Sequence, residues 1–243
     1  MMKWTVRSEE LRECFPDLDT TAALAGDVIN ANWMSRLTRV TAGGDRYYVK
    51  VYTSRGRGLR RWMGRSRVRA EWENQLLFER LAVPTAPVVA YGETSANGEY
   101  RGVLVTRELA GTRDLASLFA EGHACLADRQ WREKVIGQLG DAVRRLHLNG
   151  FVHNDLKWRN ILVETGPNPG VYIIDCPMGR TLRGLLLARG EVKDLACLDK
   201  VGRKALSRTD RLRFYLAYRQ QQKLTRSDMR EIDKICHFFD GRE

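Results

Sequence analysis

Residues 151–163 read FVHNDLKWRNILV, and the interpretation of the whole chain turns on them. Phe151-Val152 and Ile161-Leu162-Val163 are apolar flanks of the kind that form short buried strands. Between them lie His153, Asp155, Lys157 and Asn160, four polar groups at tight spacing. Burying polar side chains costs free energy unless they are paired. A loop that keeps four of them between apolar anchors is therefore a candidate site for chemistry.

Composition limits that chemistry. The chain has 243 residues, 43% of them hydrophobic, enough for one large domain or two small lobes. Lysine and arginine number 41 against 30 aspartates and glutamates, a formal charge of +11. That excess favours an anionic partner: nucleic acid, membrane headgroups or a phosphorylated substrate. The opening MMKWTVRSEELRECF has no continuous apolar core and no small-residue cleavage pattern, so no secretory signal is expected. No run approaches the roughly 18 apolar residues of a membrane span. Cys14, Cys125, Cys176, Cys197 and Cys236 are scattered without CxxC spacing. They fit small apolar side chains in a reducing cytoplasm better than a disulfide framework or a metal site.

The expected elements change character part-way along. A short helix is read at 8–15, ending before Pro16. WMSRLTRV (33–40) and RYYVKVY (46–52) alternate about a Gly43-Gly44-Asp45 turn and predict a hairpin. AEWENQLLFERLA (70–82) predicts a helix stopped by Val83-Pro84. VVAYGE (88–93) and YRGVLVTREL (100–109), joined through Asn97-Gly98, predict a second antiparallel pair. Beyond Gly111, Ile136, Leu139, Val143 and Leu146 recur at helical spacing, with Gly150 as a C-terminal stop. VYIID (171–175) is a short strand. EVKDLACLDKV, RLRFYLAYRQ and a segment capped by Thr225 and Asp228 are helical. Strands with one helix, then mostly helices, imply an α+β fold in two segregated lobes, residues 1–108 and 109–243.

Phosphoryl transfer from ATP needs a lysine for the α/β-phosphates and a helix glutamate to position it. It also needs an Asp and an Asn for magnesium, and a second Asp to take the proton of the attacking hydroxyl. Lys50 lies mid-strand, Glu71 and Glu73 lie at the start of the helical run, and Asp175 ends VYIID. With these in view, His153-x-Asp155-x-Lys157-x-x-Asn160 resembles the catalytic loop of the protein-kinase-like superfamily. Asn154 stands where protein kinases usually have Arg, and Asp175-Cys176-Pro177 where they have Asp-Phe-Gly. The chain more closely resembles the lipopolysaccharide core heptose kinase family, through AEWENQLLFERLAVPTAPVVAYG and Lys193-Asp194-Leu195-Ala196, over about Ala22–Lys200.

That resemblance implies ATP and Mg²⁺ as cofactors and a set of roles. Asp155 is the expected catalytic base, and Lys157 neutralises the transferring phosphate. Asn160 and Asp175 hold magnesium. Lys50 contacts the α/β-phosphates and pairs with Glu71, Glu73 being the alternative. The Glu108-Leu109 backbone hydrogen-bonds adenine. His153 is structural, and Asp194 braces the loop. Two departures stand out. No GxGxxG precedes Lys50; AGDVINANWMSRL has Gly26 alone. Cys176-Pro177 implies a rigid segment without a Phe switch.

Only 68 residues follow Asp175 and no Ala-Pro-Glu is among them, so a compact acceptor is expected rather than a peptide. The resemblance implies a sugar hydroxyl, heptose first, on inner-core lipopolysaccharide or another anionic glycolipid. The run 55–69 holds seven arginines and no acid. Its readings are a phosphate-binding, membrane-surface segment, with Trp62 and Met63 dipping into the interface, or a plain solvated loop. The expected location is the cytoplasmic face of the bacterial inner membrane. Nucleic acid is not expected, for lack of aromatic interleaving. Trp158 is read as packing and His147 as a partner for helix-end carbonyls. A short atypical protein kinase and a non-catalytic pseudokinase docked on membrane are the alternatives. Oligomeric state is not legible.

Overall fold

A computed structural model describes residues 3–56, 64–96 and 98–241. The chain divides into two compact units. The first comprises 1–77 and 86–110, the second 78–85 and 111–243.

The first unit is built on an antiparallel six-stranded sheet. Its strands are β1 (Lys3–Val6), β2 (Asp27–Ala31), β3 (Ser35–Ala42), β4 (Asp45–Tyr52), β5 (Val88–Ala96) and β6 (Glu99–Arg107), in the order β1-β5-β6-β4-β3-β2. The β3–β4 hairpin closes at Gly43 and Gly44, both with positive φ. A two-residue turn of that twist requires positive φ at both positions, which glycine alone adopts without strain. Each face of the sheet has its own cover. Tyr47, Val49 and Val51 pack with Phe15 and Leu18, the latter opening α1 (Leu18–Ala22). Tyr52, Tyr91 and Leu104 pack with Val68 of α2 (Arg67–Arg80).

Two local expectations change here. The helix read at 8–15 is a single 3₁₀ turn, Glu9–Leu11. Too few residues lie between Ser8 and Pro16 to offset helix nucleation, and Phe15 instead buries itself against Tyr47. The N-terminal segment also supplies an unexpected edge strand, β1, paired with β5.

The second unit is helical around a small sheet. It contains β7 (Thr112–Asp114), α3 (Leu115–Ala120), α4 (Arg129–Leu148), β8 (Phe151–Val152), β9 (Ile161–Glu164), β10 (Val171–Ile173), β11 (Arg180–Thr181), α5 (Gly184–Ala205), α6 (Arg208–Arg219) and α7 (Arg226–Cys236). β10-β9-β7 form one sheet and β11-β8 a two-stranded ribbon. α4 buries Val135, Ile136, Leu139, Val143 and Leu146, the stripe that its spacing predicts. The strand expected to reach Asp175 stops at Ile173, because Asp175 takes a left-handed φ of 57°. The α7 capping box is formed between Thr225 and Asp228. Among the described residues no helix is long and apolar enough to cross a membrane.

Candidate active site

β4 is an interior strand, with Lys50 opposite Leu37 on one side and Leu104 on the other. Residues two apart share a face of a strand, so Lys50 and Tyr52 project together toward α2. α2 turns Val68, Glu71, Asn74, Gln75 and Phe78 inward. Three polar residues on a buried face are a local inconsistency unless they are paired. Glu71, 4% exposed, receives two hydrogen bonds of 3.0 Å from Lys50 Nζ and another from the Tyr52 hydroxyl. Glu73 lies about 200° further round the helix. There it pairs with Arg65 at 2.9 Å and Arg69 at 2.7 Å. Against partial burial, those guanidiniums hold its carboxyl below the usual pKa. Helical phase thus joins Lys50 to Glu71 and leaves Glu73 to the arginine-rich segment. Arg57, Arg60, Arg61, Trp62 and Met63 of that segment lie outside the described residues.

At the end of β6 the Glu108 N–H donates to Arg46 O at 2.9 Å, so the carbonyl is the backbone group that Glu108 offers. This narrows the Glu108-Leu109 expectation. The Glu108 side chain is separately tied down, 2.5 Å from Arg46 Nε and accepting from Tyr48 at 3.3 Å.

In the second unit, the decisive loop runs from β8 through a 3₁₀ turn, Trp158–Asn160, into β9. Its conformation is imposed from beneath by α5. Asp194, fully buried, accepts from His153 N at 2.6 Å and Asn154 N at 2.8 Å. Asn154 takes a positive φ of 65°, as Asp175 does. Asn and Asp tolerate that region better than other non-glycine residues, and strain of this kind gathers at functional sites. Asp155 then presents its carboxylate, 2.6 Å from Lys157 Nζ and 3.5 Å from Arg159. Asn160 Nδ2 donates to Asp155 O at 2.8 Å, which leaves its amide oxygen for a cation. Ile174 N–H donates to Asn160 O at 3.0 Å and brings Asp175 alongside. An amide oxygen with a carboxylate is the hard-oxygen pair that Mg²⁺ accepts beside nucleotide phosphates and water. His153 is wholly buried. Burial drives its pKa down although Asp194, Asp175 and Asp155 pull it up, so the ring is neutral and packs rather than shuttling protons.

A model of the lipopolysaccharide kinase (Kdo/WaaP) family matches residues 28–218. The chain belongs to that family. The matched span includes every candidate site residue, from Lys50 to Asp175. Two curated 3-deoxy-D-manno-octulosonic acid kinases are similar. That of Actinobacillus succinogenes is 36% identical over 78 residues, 32% of this chain and 30% of the relative. That of Mannheimia succiniciproducens is 34% identical over 95 residues, 39% of this chain and 36% of the relative. The aligned stretches span about a third of the length of those relatives. The solved structure of WaaP in complex with acyl carrier protein has the same fold, with a TM-score of 0.75, 98% of this chain and 96% of that one covered, and 21% identity.

Among the candidate residues of each unit of this Kdo/WaaP-family chain, sequence reasoning missed several partners. Tyr52 clamps Glu71, and its signal was its place two residues after Lys50 on one strand face. Arg159 stands beside Asp155, four residues on. Asn154 links two elements, receiving Lys193 Nζ at 3.4 Å and donating to Met178 O at 3.2 Å. His147 does not serve helix-end carbonyls. Its ring meets Tyr218 OH at 2.9 Å and Asp194 Oδ2 at 3.4 Å, because α4 turns it into the interior. Trp158 packs, donating to Leu198 O at 2.9 Å.

Proposed function

We propose that the protein is an ATP-dependent kinase that phosphorylates a sugar hydroxyl of the lipopolysaccharide inner core. The observation that carries this reading is the Asp155–Lys157 pair, held at 2.6 Å in a loop braced by Asp194. Asp155 accepts the proton of the acceptor hydroxyl. The hydroxyl oxygen bonds to the γ-phosphorus as the bond to the bridging oxygen breaks, and ADP leaves. Lys157 moves from Asp155 to the transferring phosphoryl group. Because the transition state is loose, positioning and charge neutralisation supply most of the rate. Lys50, oriented by Glu71, holds the α/β-phosphates, and the Glu108 carbonyl accepts from the adenine amino group, with Leu109 beside it. Asn160 and Asp175 are the residues that would hold Mg²⁺, whose charge would offset that of the β- and γ-phosphate oxygens. Residues 1–108 supply the nucleotide-binding sheet and Glu71, and 109–243 the catalytic loop.

Heptose is the acceptor expected from the sequence, and the Kdo kinases among its relatives make Kdo the second candidate. Mass spectrometry of core oligosaccharide from cells lacking the protein, complemented with wild type or Asp155→Ala, tests this. One phosphate is expected to disappear and to return with wild type only. Its attachment distinguishes heptose from Kdo, and an unchanged core refutes the reading. Transfer of label to protein instead would select the atypical protein kinase.

A partner is also suggested. The helical unit has a half-open apolar pocket of about 360 Å³, lined by Trp131, Leu139, Leu195, Leu198 and Phe214, with Arg208 and the Arg211–Asp199 ion pair among its walls. Its chemistry suits an acyl chain beside an acidic carrier, as an acyl carrier protein like that seen with WaaP would present. Mass spectrometry of the native purified protein tests for a bound acyl group.

A further inference from the structure

The segment Cys176–Gly190, CPMGRTLRGLLLARG, contains Arg180, Arg183 and Arg189 and no acidic residue. Its backbone is tied to the catalytic loop. Arg180 pairs with Val152 across the β11–β8 ribbon, and Leu182 N–H donates to Gly150 O at 2.8 Å. The chain then enters α5 at Gly184. Leu185 is 90% exposed, Leu186 66% and Met178 39%, and Arg180, Arg183 and Arg189 are exposed as well. Single exposed leucines are ordinary on protein surfaces. An adjacent pair on a segment with three exposed arginines and no acid, tied by its backbone to the candidate loop, is not.

The inward face of α5 is already committed. A Cβ at Gly190 would lie 2.7 Å from Val152 Cγ1, so the helix rests on the strand before the loop and cannot roll to bury Leu185. α5 also begins without a side-chain cap, so the positive end of its dipole reinforces the arginines.

We propose that Leu185, Leu186, Arg180, Arg183 and Arg189 form a docking patch that adsorbs to an anionic lipid bilayer and holds the catalytic loop at the membrane surface. The proposal rests on the reading of a lipid-borne acceptor. Apolar side chains entering the acyl boundary under a rim of cations are the chemistry of an interfacial anchor. A protein partner would need roughly 800 Å² of matched surface per side, more than two leucines supply. The patch is distinct from the 55–69 run, where the sequence alone first suggests membrane contact.

Sedimentation of the full-length protein with phosphatidylcholine vesicles, with and without phosphatidylglycerol, tests the proposal. Wild type is expected to bind only the anionic vesicles. Leu185→Ser with Leu186→Ser should weaken partitioning by about tenfold or more. Arg180→Gln, Arg183→Gln and Arg189→Gln together should weaken it roughly a hundredfold, at about fivefold each. Both variants should keep the wild-type melting temperature. They should also keep its transfer rate to deacylated core oligosaccharide, while transfer to vesicle-borne acceptor falls. Binding unchanged by either set, or lost only when Arg55, Arg65, Arg67 and Arg69 are changed, overturns the patch. Equal binding to neutral vesicles overturns it as well. The sedimentation needs no nucleotide or acceptor. Absence of any transfer alongside vesicle binding sensitive to both sets would overturn the kinase reading and leave the docking patch standing.

Discussion

A buried glutamate persists as an anion only beside a cation and donors that replace its water. Glu71 has both in Lys50 and Tyr52, and the same bonds fix where the Lys50 ammonium points. Glu71→Gln keeps the shape and removes the charge that holds it. It should lower kcat/KM for nucleotide roughly ten- to hundredfold, equivalent to about 1.4–2.7 kcal/mol. Glu73→Gln breaks only half-exposed ion pairs with Arg65 and Arg69. It should leave kcat/KM within about twofold and cost under about 1 kcal/mol in thermal unfolding. Steady-state kinetics of the two variants side by side would reverse the assignment if Glu73 were the damaging one. The sequence favoured Glu71 only through the resemblance, by its distance to Val83-Pro84, and kept Glu73 as the alternative because both sit in one helical run. The choice depends on helical phase, which is set by how Val68 and Phe78 seat against their neighbours.

Elements were legible where local chemistry determines them and illegible where long-range pairing does. The Gly43-Gly44 hairpin, the α4 stripe and the α7 capping box each rest on residues within a few positions of one another. β1 exists only because β5 offers it an edge, and the turn at Glu9–Leu11 displaces a helix because Phe15 finds Tyr47. The candidate catalytic loop was legible as a pattern, but its support was only partly so. Asp194 was expected beneath it, whereas the His147–Tyr218 contact joins α4 to α6 across 71 residues. At this scale the α7 cap makes a measurable prediction. Asp228 accepts from the Thr225 hydroxyl and N–H, Gln221 and Tyr215. Led by the Thr225 hydroxyl, these bonds hold its pKa well below that of an unfolded aspartate. The stabilisation is therefore complete above about pH 4 and is lost as pH falls toward the folded-state value. Asp228→Asn should cost about 1–2 kcal/mol near neutrality, and the gap from wild type should close on acidification. Melting curves that stay parallel at low pH would show that Asp228 acts by packing, not by charge.

On the proposed reading, the whole molecule brings an excess of cations to a reaction between anions. At +11, its field extends about 10 Å into 0.1 M salt and about 3 Å into 1 M. If the proposed acceptor is a phosphorylated glycolipid, long-range attraction would raise its capture, whereas the roles proposed for Lys50, Lys157 and the carboxylates would act at contact distance. The two roles therefore separate in kinetics. Between about 0.1 M and 1 M salt, kcat/KM for the glycolipid should fall by roughly tenfold or more while kcat changes by less than about threefold. Deacylated core oligosaccharide, which retains its charges but brings no bilayer, should show the shallower dependence, because part of the attraction in the first case belongs to the membrane. A parallel fall of kcat with kcat/KM would place the salt-sensitive contacts inside the site, in the Lys50–Glu71 and Lys157–Asp155 pairs, and would remove the case for electrostatic capture by the molecule as a whole.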